Sequence, residues 1–348
     1  MKIGLICDTH WGVRSDKIEF LDANEKFVKE QFIPTLLKEG VDTVVHLGDL
    51  LDRRKYTNNY TLTRVRKDFI DPLLNNEIKY HQILGNHDTY YKNTNEVSAV
   101  TELLRDLPVC IYKNATDEPI FDGTKILFVP WICDDNRQQT LELIRKTNAQ
   151  ICFGHLELVG FEMYKGSIMS HGDSPNLFNS FDIVLSGHYH HRSSSDNIHY
   201  LGCHAEFTWA DYNDTKGFHI FDTKTRELQF VKNTQTMFEK LWYDDTKEIN
   251  VDVEKYRNKY VKVITTNKTD TVKFDKFITN LESVNPIDLT IVEDHLNIHM
   301  EEDADIIDEA ESTVEAINLY IDQLSTKINK DKLKAKMLEL YSEAQTLE

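Results

Sequence analysis

Ile3-Gly-Leu-Ile-Cys-Asp-Thr-His10 runs from an apolar stretch straight into a carboxylate and an imidazole two positions apart, and the chain repeats the device. Residues 41–47 end in Gly48-Asp49, residues 80–84 in Gly85-Asn-His-Asp88, residues 151–153 in Gly154-His155, and residues 183–185 in Ser186-Gly-His188-Tyr-His190. Residues 126–129 form a further apolar run, while residues 24–38 and 61–74 carry apolar side chains at helical spacing. Strands alternating with helices, each strand ending in chemistry, predict an α/β fold with its site at the carboxyl ends of the strands. A His or Asp at one strand end is usually a hydrogen-bonded loop residue. The same arrangement after one apolar run after another is a joint signal.

The donor types point to metal. On an extended backbone, residues i and i+2 face the same side, so both ends of Asp8-x-His10 and of His188-x-His190 can reach one ion. Imidazole, carboxylate and amide donors without thiolates suit borderline ions such as manganese, iron or zinc. Asp8, His10, Asp49, Asn86, His155, His188 and His190 are more ligands than one ion needs and suit two, ~3.5 to 4 Å apart, which can share a carboxylate and clamp a phosphate. Asp49 is the natural shared carboxylate because Gly48 lets the backbone come close. His87 stands apart as a candidate general acid, with Asp88 expected to hold and charge its ring. Asp52 either orients a metal-bound water or caps the next helix. His46, His81, His171, His191, His199, His204 and His219 lack the motif context and read as structural or surface residues. Trp11, Trp131 and Trp209 read as core or rim aromatics.

The 348 residues carry a formal charge of -18, which by itself argues against a nucleic-acid partner. The sum is global, however, and Glu301 to Glu311 alone holds seven carboxylates in eleven residues. Arg53-Arg54-Lys55 and the nearby Arg64, Arg66 and Lys67 form a basic segment, either a solvated helix face or a DNA-facing patch. Cys7, Cys110, Cys133, Cys152 and Cys203 lack CxxC spacing and read as buried free thiols of a cytoplasmic protein. No apolar run reaches the ~18 residues of a membrane span.

Near residue 235 the pattern changes. Residues 260–265 and 287–292 alternate as strands around a helix at 271–281, a small α/β domain spanning 236–297. Residues 298–311 read as an acidic linker. Ser312-Thr-Val-Glu315 has the form of a helix capping box, and Val314, Ile317, Ile321, Leu324 and Ile328 follow as one apolar stripe. Leu333, Met337, Leu340, Tyr341, Ala344 and Leu347 make a second stripe, so 312–348 is expected to be a helical pair that docks on a partner.

Asp8-x-His10, Gly48-Asp49-Leu-Leu-Asp52, Gly85-Asn-His-Asp88, Gly154-His155 and Gly187-His-Tyr-His190 resemble the signature of calcineurin-like metallophosphoesterases. The variant looks like the SbcD branch of DNA repair nucleases and is similar to its T-even-type phage members. GNHDTYYK at 85–92, Val129-Pro-Trp131, Ser170-His-Gly172 and Lys216-Gly-Phe218 extend the likeness over roughly the first 230 residues. The resemblance implies a two-sheet sandwich flanked by helices over 1–235, a capping domain, and terminal helices that bind an SbcC-type coiled-coil ATPase. It implies a first metal on Asp8, His10, Asp49 and His190, a second on Asp49, Asn86, His155 and His188, manganese as the ion, and His87 as the catalytic histidine. The expected activity is DNA exonuclease and endonuclease in recombination or repair, with Arg14, Arg53, Arg54, Lys55, Tyr91 and Lys92 as DNA contacts. A homodimer is also admitted. A metallophosphatase of phosphoproteins or small phosphoesters is the competing reading, although protein phosphatases usually carry GDxxDRG and GNHE where this chain has GDLLDRR and GNHD. Tyr200-Leu-Gly-Cys-His204 departs from relatives, which tend to have a small residue and Pro in place of Cys-His.

Overall fold

Alternation inside each apolar run decides which layer its side chains join. In the first strand, Ile3 and Leu5 face one cluster, shared with Val45, Ile83, Phe128, Phe153 and Leu185, whereas Ile6 faces another built with Phe27, Phe32, Leu36 and Phe69. A strand covered on both faces reads as a continuous apolar run, which is why these segments show no polar face.

The computed structural model describes residues 1–120, 122–248, 250–293, 321, 329–330, 332–334 and 336–337. The linker expected at 298–311, and most of the helical pair expected at 312–348, lie outside the described residues. Two compact units emerge, Met1–Phe207 with Asn213–Met237, and Thr208–Tyr212 with Phe238–Glu348.

The strands of the first unit are β1 (Lys2–Ile6), β2 (Thr43–His46), β3 (Lys79–Ile83), β4 (Cys110–Tyr112), β5 (Thr116–Ile120), β6 (Thr124–Val129) and β7 (Ile151–His155). They continue with β8 (Glu162–Tyr164), β9 (Ser167–Ile168), β10 (Ile183–Gly187), β11 (Ser193–Ser195), β12 (Ile198–Tyr200), β13 (Gly217–Asp222) and β14 (Leu228–Lys232). One sheet runs β14-β13-β1-β2-β3-β4 and the other β11-β12-β10-β7-β6-β5. β1 to β4 are mutually parallel, as are β6, β7, β10 and β12, so the chemical motifs of each sheet leave from one edge. The cluster of Ile3, Leu5, Val45, Phe128, Phe153 and Leu185 fills the space between the sheets. Helical segments Ile18–Phe27, Val28–Phe32 and Ile33–Glu39 cover the outer face of the first sheet, and Leu127, Cys152, Val184 and Phe178 close the outer face of the second. The expected two-sheet α/β sandwich flanked by helices is what forms. The thiols are free, but Cys110, on β4 at a sheet edge, is exposed rather than buried.

In the second unit, β15 (Phe238–Asp244), β16 (Tyr260–Asn267) and β17 (Asp288–Glu293) form a parallel sheet around the helix Thr271–Glu282, which Asp270 caps by accepting from the Lys273 N–H. Tyr243, Val261, Val263, Phe274 and Leu281 are its core. β15 was not legible, because Phe-Glu-Lys-Leu-Trp-Tyr-Asp interleaves charge on both faces. The boundary also has a detour: Trp209 packs its ring 4.9 Å from Phe238, and the Lys262 ammonium lies 4.2 Å over that indole.

Candidate metal centre

The expected donors come together from both sheets. Nε2 of His10 and Nε2 of His190 lie 3.1 Å apart, and donor atoms of Asp8, His10 and His190 all lie within 4.8 Å of one another. Asp49, His155 and His188 form a second such group. Asn86 belongs with it, since its Oδ1 is 2.9 Å from His155 Nε2 and 3.0 Å from His188 Nδ1. Asp49 Oδ2 lies 3.3 Å from His155 Nε2 and 3.8 Å from His10 Nε2, between the two groups. Nδ1 of His155 is 2.8 Å from the Leu47 carbonyl, which can only accept. That nitrogen therefore carries a proton whatever the charge of the ring, and Nε2, facing Asn86 and Asp49, is the atom left to bind an ion in place of a second proton.

The backbone reaches this geometry by a route that spacing did not reveal. Asp8 (φ 50°), His10 (φ 41°), Asp49 (φ 56°) and His188 (φ 90°) all occupy the left-handed region. The Asp8-x-His10 pair is thus not an extended segment presenting alternate residues, as expected, but a turn held by Asp8 N–H to Gly48 O at 3.0 Å and His10 N–H to Asp49 O at 3.2 Å. Non-glycine residues there cost on the order of 1 to 3 kcal/mol each and persist only where the surroundings fix them. Gly48 has its own reason: a Cβ would stand 2.2 Å from His155 Nδ1, at a φ of +99°. At Gly85 a Cβ would lie 2.1 Å from the Asp49 carboxylate.

Electrostatics favour cations. Burial opposes ionisation of Asp49, yet His155, His87 and His10 hold it well below the usual carboxylate range. Burial raises Asp8. His10 is pushed up to about 9 despite its burial, by Asp52, Asp49 and Asp8, and His155 to about 9 despite its own, by Asp49 and Asp8. The field that draws protons to these rings is the field a metal ion would meet. His188 and His190 are held neutral, by burial and by the neighbouring His155 and His10 respectively. Buried His188 Nε2 lacks a hydrogen-bond partner and lies beside the second donor group. The residues present fit a pair of divalent ions.

His87 is half-buried at the mouth, with its ring 4.9 Å from that of His10. Its expected partner was Asp88. The structure gives another: His87 Nδ1 lies 2.5 Å from the Asp52 carbonyl oxygen, while the Asp88 carboxylate accepts backbone N–H groups of Asp49, Leu51 and Gly85 at 2.9, 3.1 and 2.9 Å. Asp88 ties the two motif loops together. Burial and the Asp49 charge raise its own pKa to about 7. Asp52, open at the level of sequence, sends Oδ1 to 3.5 Å from His10 Nδ1, so its carboxylate stands against the ring of a candidate donor rather than toward a helix end.

Supports invisible to spacing lie behind the donors. Thr9 Oγ1 is 2.9 Å from His46 Nε2, and buried Lys216 donates to the His190 carbonyl and to Asp214, both at 2.9 Å. His204 packs its ring 4.9 Å from Phe27 and meets Asn24 at 3.0 Å, so the departure from Pro there is filled by a helix contact. Of the basic candidates, Arg53 pairs with Asp16 and lies 4.8 Å over Tyr56, and Arg14 donates to the Phe207 carbonyl. Arg54 is half-buried, whereas Lys55, Tyr91 and Lys92 are exposed. Arg64 is taken up by Asp68, Asp22 and Glu25 of the same chain.

The family model described as calcineurin-like phosphoesterase matches residues 1–192. The chain belongs to that family. It is 34% identical to exonuclease subunit 1 of Enterobacteria phage T4 over 93% of this chain and 98% of that protein. It is 27% identical to the SbcD component of the SbcCD nuclease of Staphylococcus saprophyticus over 66% of this chain and 67% of the relative. The DNA double-strand break repair protein Mre11 of Sulfurisphaera tokodaii matches at 25% identity over 54% of this chain and 48% of its own length. The matched phosphoesterase region spans every donor of the centre, which makes this chain a phosphoesterase by family. Among the described residues, no helix is long and apolar enough to cross a membrane.

Proposed function

We propose that this chain is a manganese-dependent DNA nuclease, exonuclease and endonuclease, that hydrolyses phosphodiesters at a two-metal centre beside an SbcC-type ATPase. The observation that carries the reading is the convergence of two donor groups on either side of Asp49. Asp8, His10, Asp49 and His190 would hold one ion, and Asp49, Asn86, His155 and His188 the other. Divalent ions bound there supply charge to neutralise a phosphodiester and acidify an attacking water. The chain's own residues do the rest. The Asp52 carbonyl holds a proton on His87 Nδ1 and leaves Nε2 to face the substrate; the doubly protonated ring gives its Nε2 proton to the departing sugar oxygen and keeps the one on Nδ1. Asp52 and Lys216 keep His10 and His190 oriented, and Asp88 locks the loops that carry Asp49 and Asn86. The names of the relatives, an exonuclease and a nuclease component, support DNA over small phosphoesters.

Purified protein with manganese, offered linear duplex DNA, single-stranded DNA and p-nitrophenyl phosphate, tests the reading. DNA cleavage that stops on chelation is expected. Turnover of p-nitrophenyl phosphate with no DNA cleavage would make the chain a phosphatase. Truncation after Asn297 tests the partner: a metal-binding nuclease that no longer copurifies with its ATPase is expected, and retained copurification would place the interface elsewhere.

A further inference from the structure

Trp131 and Tyr164 are absorbed by neither the metal nor the proton chemistry, yet each lies against a donor ring. Trp131 follows β6, with its indole 5.2 Å from His188 and 6.3 Å from His155. Its backbone is pinned from three sides, by its own N–H to the Leu84 carbonyl at 2.8 Å and by its carbonyl to Asn95 Nδ2 at 2.9 Å and Asn136 Nδ2 at 3.0 Å. Tyr164 ends β8 with its ring 5.6 Å from that of His190, on a hairpin tied back through the His191 N–H to the Met163 carbonyl at 2.9 Å. Lys165, at the hairpin tip beside it, is exposed.

Core aromatics of this domain are shut off from solvent, as at Trp11 (2% exposed) and Tyr189 (0%). Trp131 and Tyr164 instead remain half-open. They also divide between the donor groups: Trp131 flanks the Asp49, His155 and His188 group, and Tyr164 flanks the Asp8, His10 and His190 group. A phosphodiester lying across both groups has one nucleoside on each side, so each end of the centre offers one aromatic face to one base.

Resting on the nuclease reading above, we propose that Trp131 and Tyr164 are specificity-determining residues that stack on the two bases flanking the scissile phosphodiester. A base can meet such a ring only when it has left its own stack, so the preferred substrate is a stretch of unpaired nucleotides, a single strand or a frayed end. Stacking of this kind tolerates any base, because every base has a π-face.

The test compares kcat/KM on a single-stranded oligonucleotide with that on the same oligonucleotide carrying abasic sites on both sides of one phosphate, at saturating manganese. Wild type cuts the base-bearing phosphate faster. Trp131→Leu and Tyr164→Leu each lose about ten-fold or more on the normal oligonucleotide, chiefly through KM, and less on the abasic one, so the ratio falls toward one. Trp131→Phe and Tyr164→Phe keep most of the preference. Equal losses on both oligonucleotides with metal content retained would overturn the inference. So would a wild type that cuts DNA with no base preference, which leaves the nuclease reading standing. A wild type that cuts no DNA removes both. Should the leucine variants lose metal, the phenylalanine variants and the wild-type ratio still decide.

Discussion

His10 and His155 are buried, as His46, His81 and His204 are, yet they behave oppositely to them. Burial drives His81 down to about 4, and His204 and His219 to about 3, where the polar neighbours of their rings are a Tyr112 hydroxyl for His81 and an Asn24 amide for His204. His10 and His155 feel the same desolvation but face Asp52, Asp49 and Asp8, and rise to about 9. Burial alone makes a histidine neutral and structural. Carboxylates around it make a cation site.

That contrast breaks most visibly at the shared carboxylate. Asp49→Ala should abolish manganese-dependent DNA cleavage and lower bound metal, as chelator does to the wild type; metal content by plasma mass spectrometry is the check, and undiminished stoichiometry would remove Asp49 from the ligand set. His87→Ala should keep both ions while turnover drops by ~10²- to 10⁴-fold, since its part is a proton. Anomalous scattering from the variant's crystals decides, and missing metals would make His87 a ligand instead. Asp52→Ala should weaken manganese binding by ~10- to 100-fold, by releasing the ring of His10. Calorimetric titration reads that shift, and an unchanged affinity would reduce Asp52 to its backbone carbonyl.

The smallest effect sharpens the other side of the comparison. The unfolded His81 ring takes up a proton near 6.5 but the folded ring only near 4, so its contribution is complete above about 6.5 and drains as pH falls through that window. The loss amounts to roughly 3 kcal/mol from this group at the acid end. Denaturant melts at pH 7 and pH 5 should show a smaller acid-induced fall in His81→Gln than in wild type. An equal fall would mean that other buried histidines carry the pH dependence.

Much of the centre was legible because its information is local. Asp8, His10, Asp49, Asn86, His155, His188 and His190 announce themselves by donor type at the end of an apolar run, and all converge. The helix Thr271–Glu282 and the strands flanking it were readable for the same reason, since their period lies within a dozen residues. What failed depended on partners far along the chain. Asp88 stands next to His87 in sequence but turns to backbone donors nearly forty residues away, and β15 owes its place to pairing with β16 rather than to its own pattern.

The sequence by itself determined which groups could bind metal and carry a proton, and which runs had to be buried on both faces, because side-chain chemistry and period are properties of the local chain. Only the tertiary structure decided that four of those candidate donors sit on left-handed backbone, that Asp52 rather than Asp88 stands against His10 and His87, and that Trp131 stands half-open beside His188. Those outcomes follow from closing two sheets against each other, which brings Leu47 to His155 and Asp8 to His188 across more than a hundred residues. Torsional strain at these residues is tolerated because such long-range contacts hold them in place.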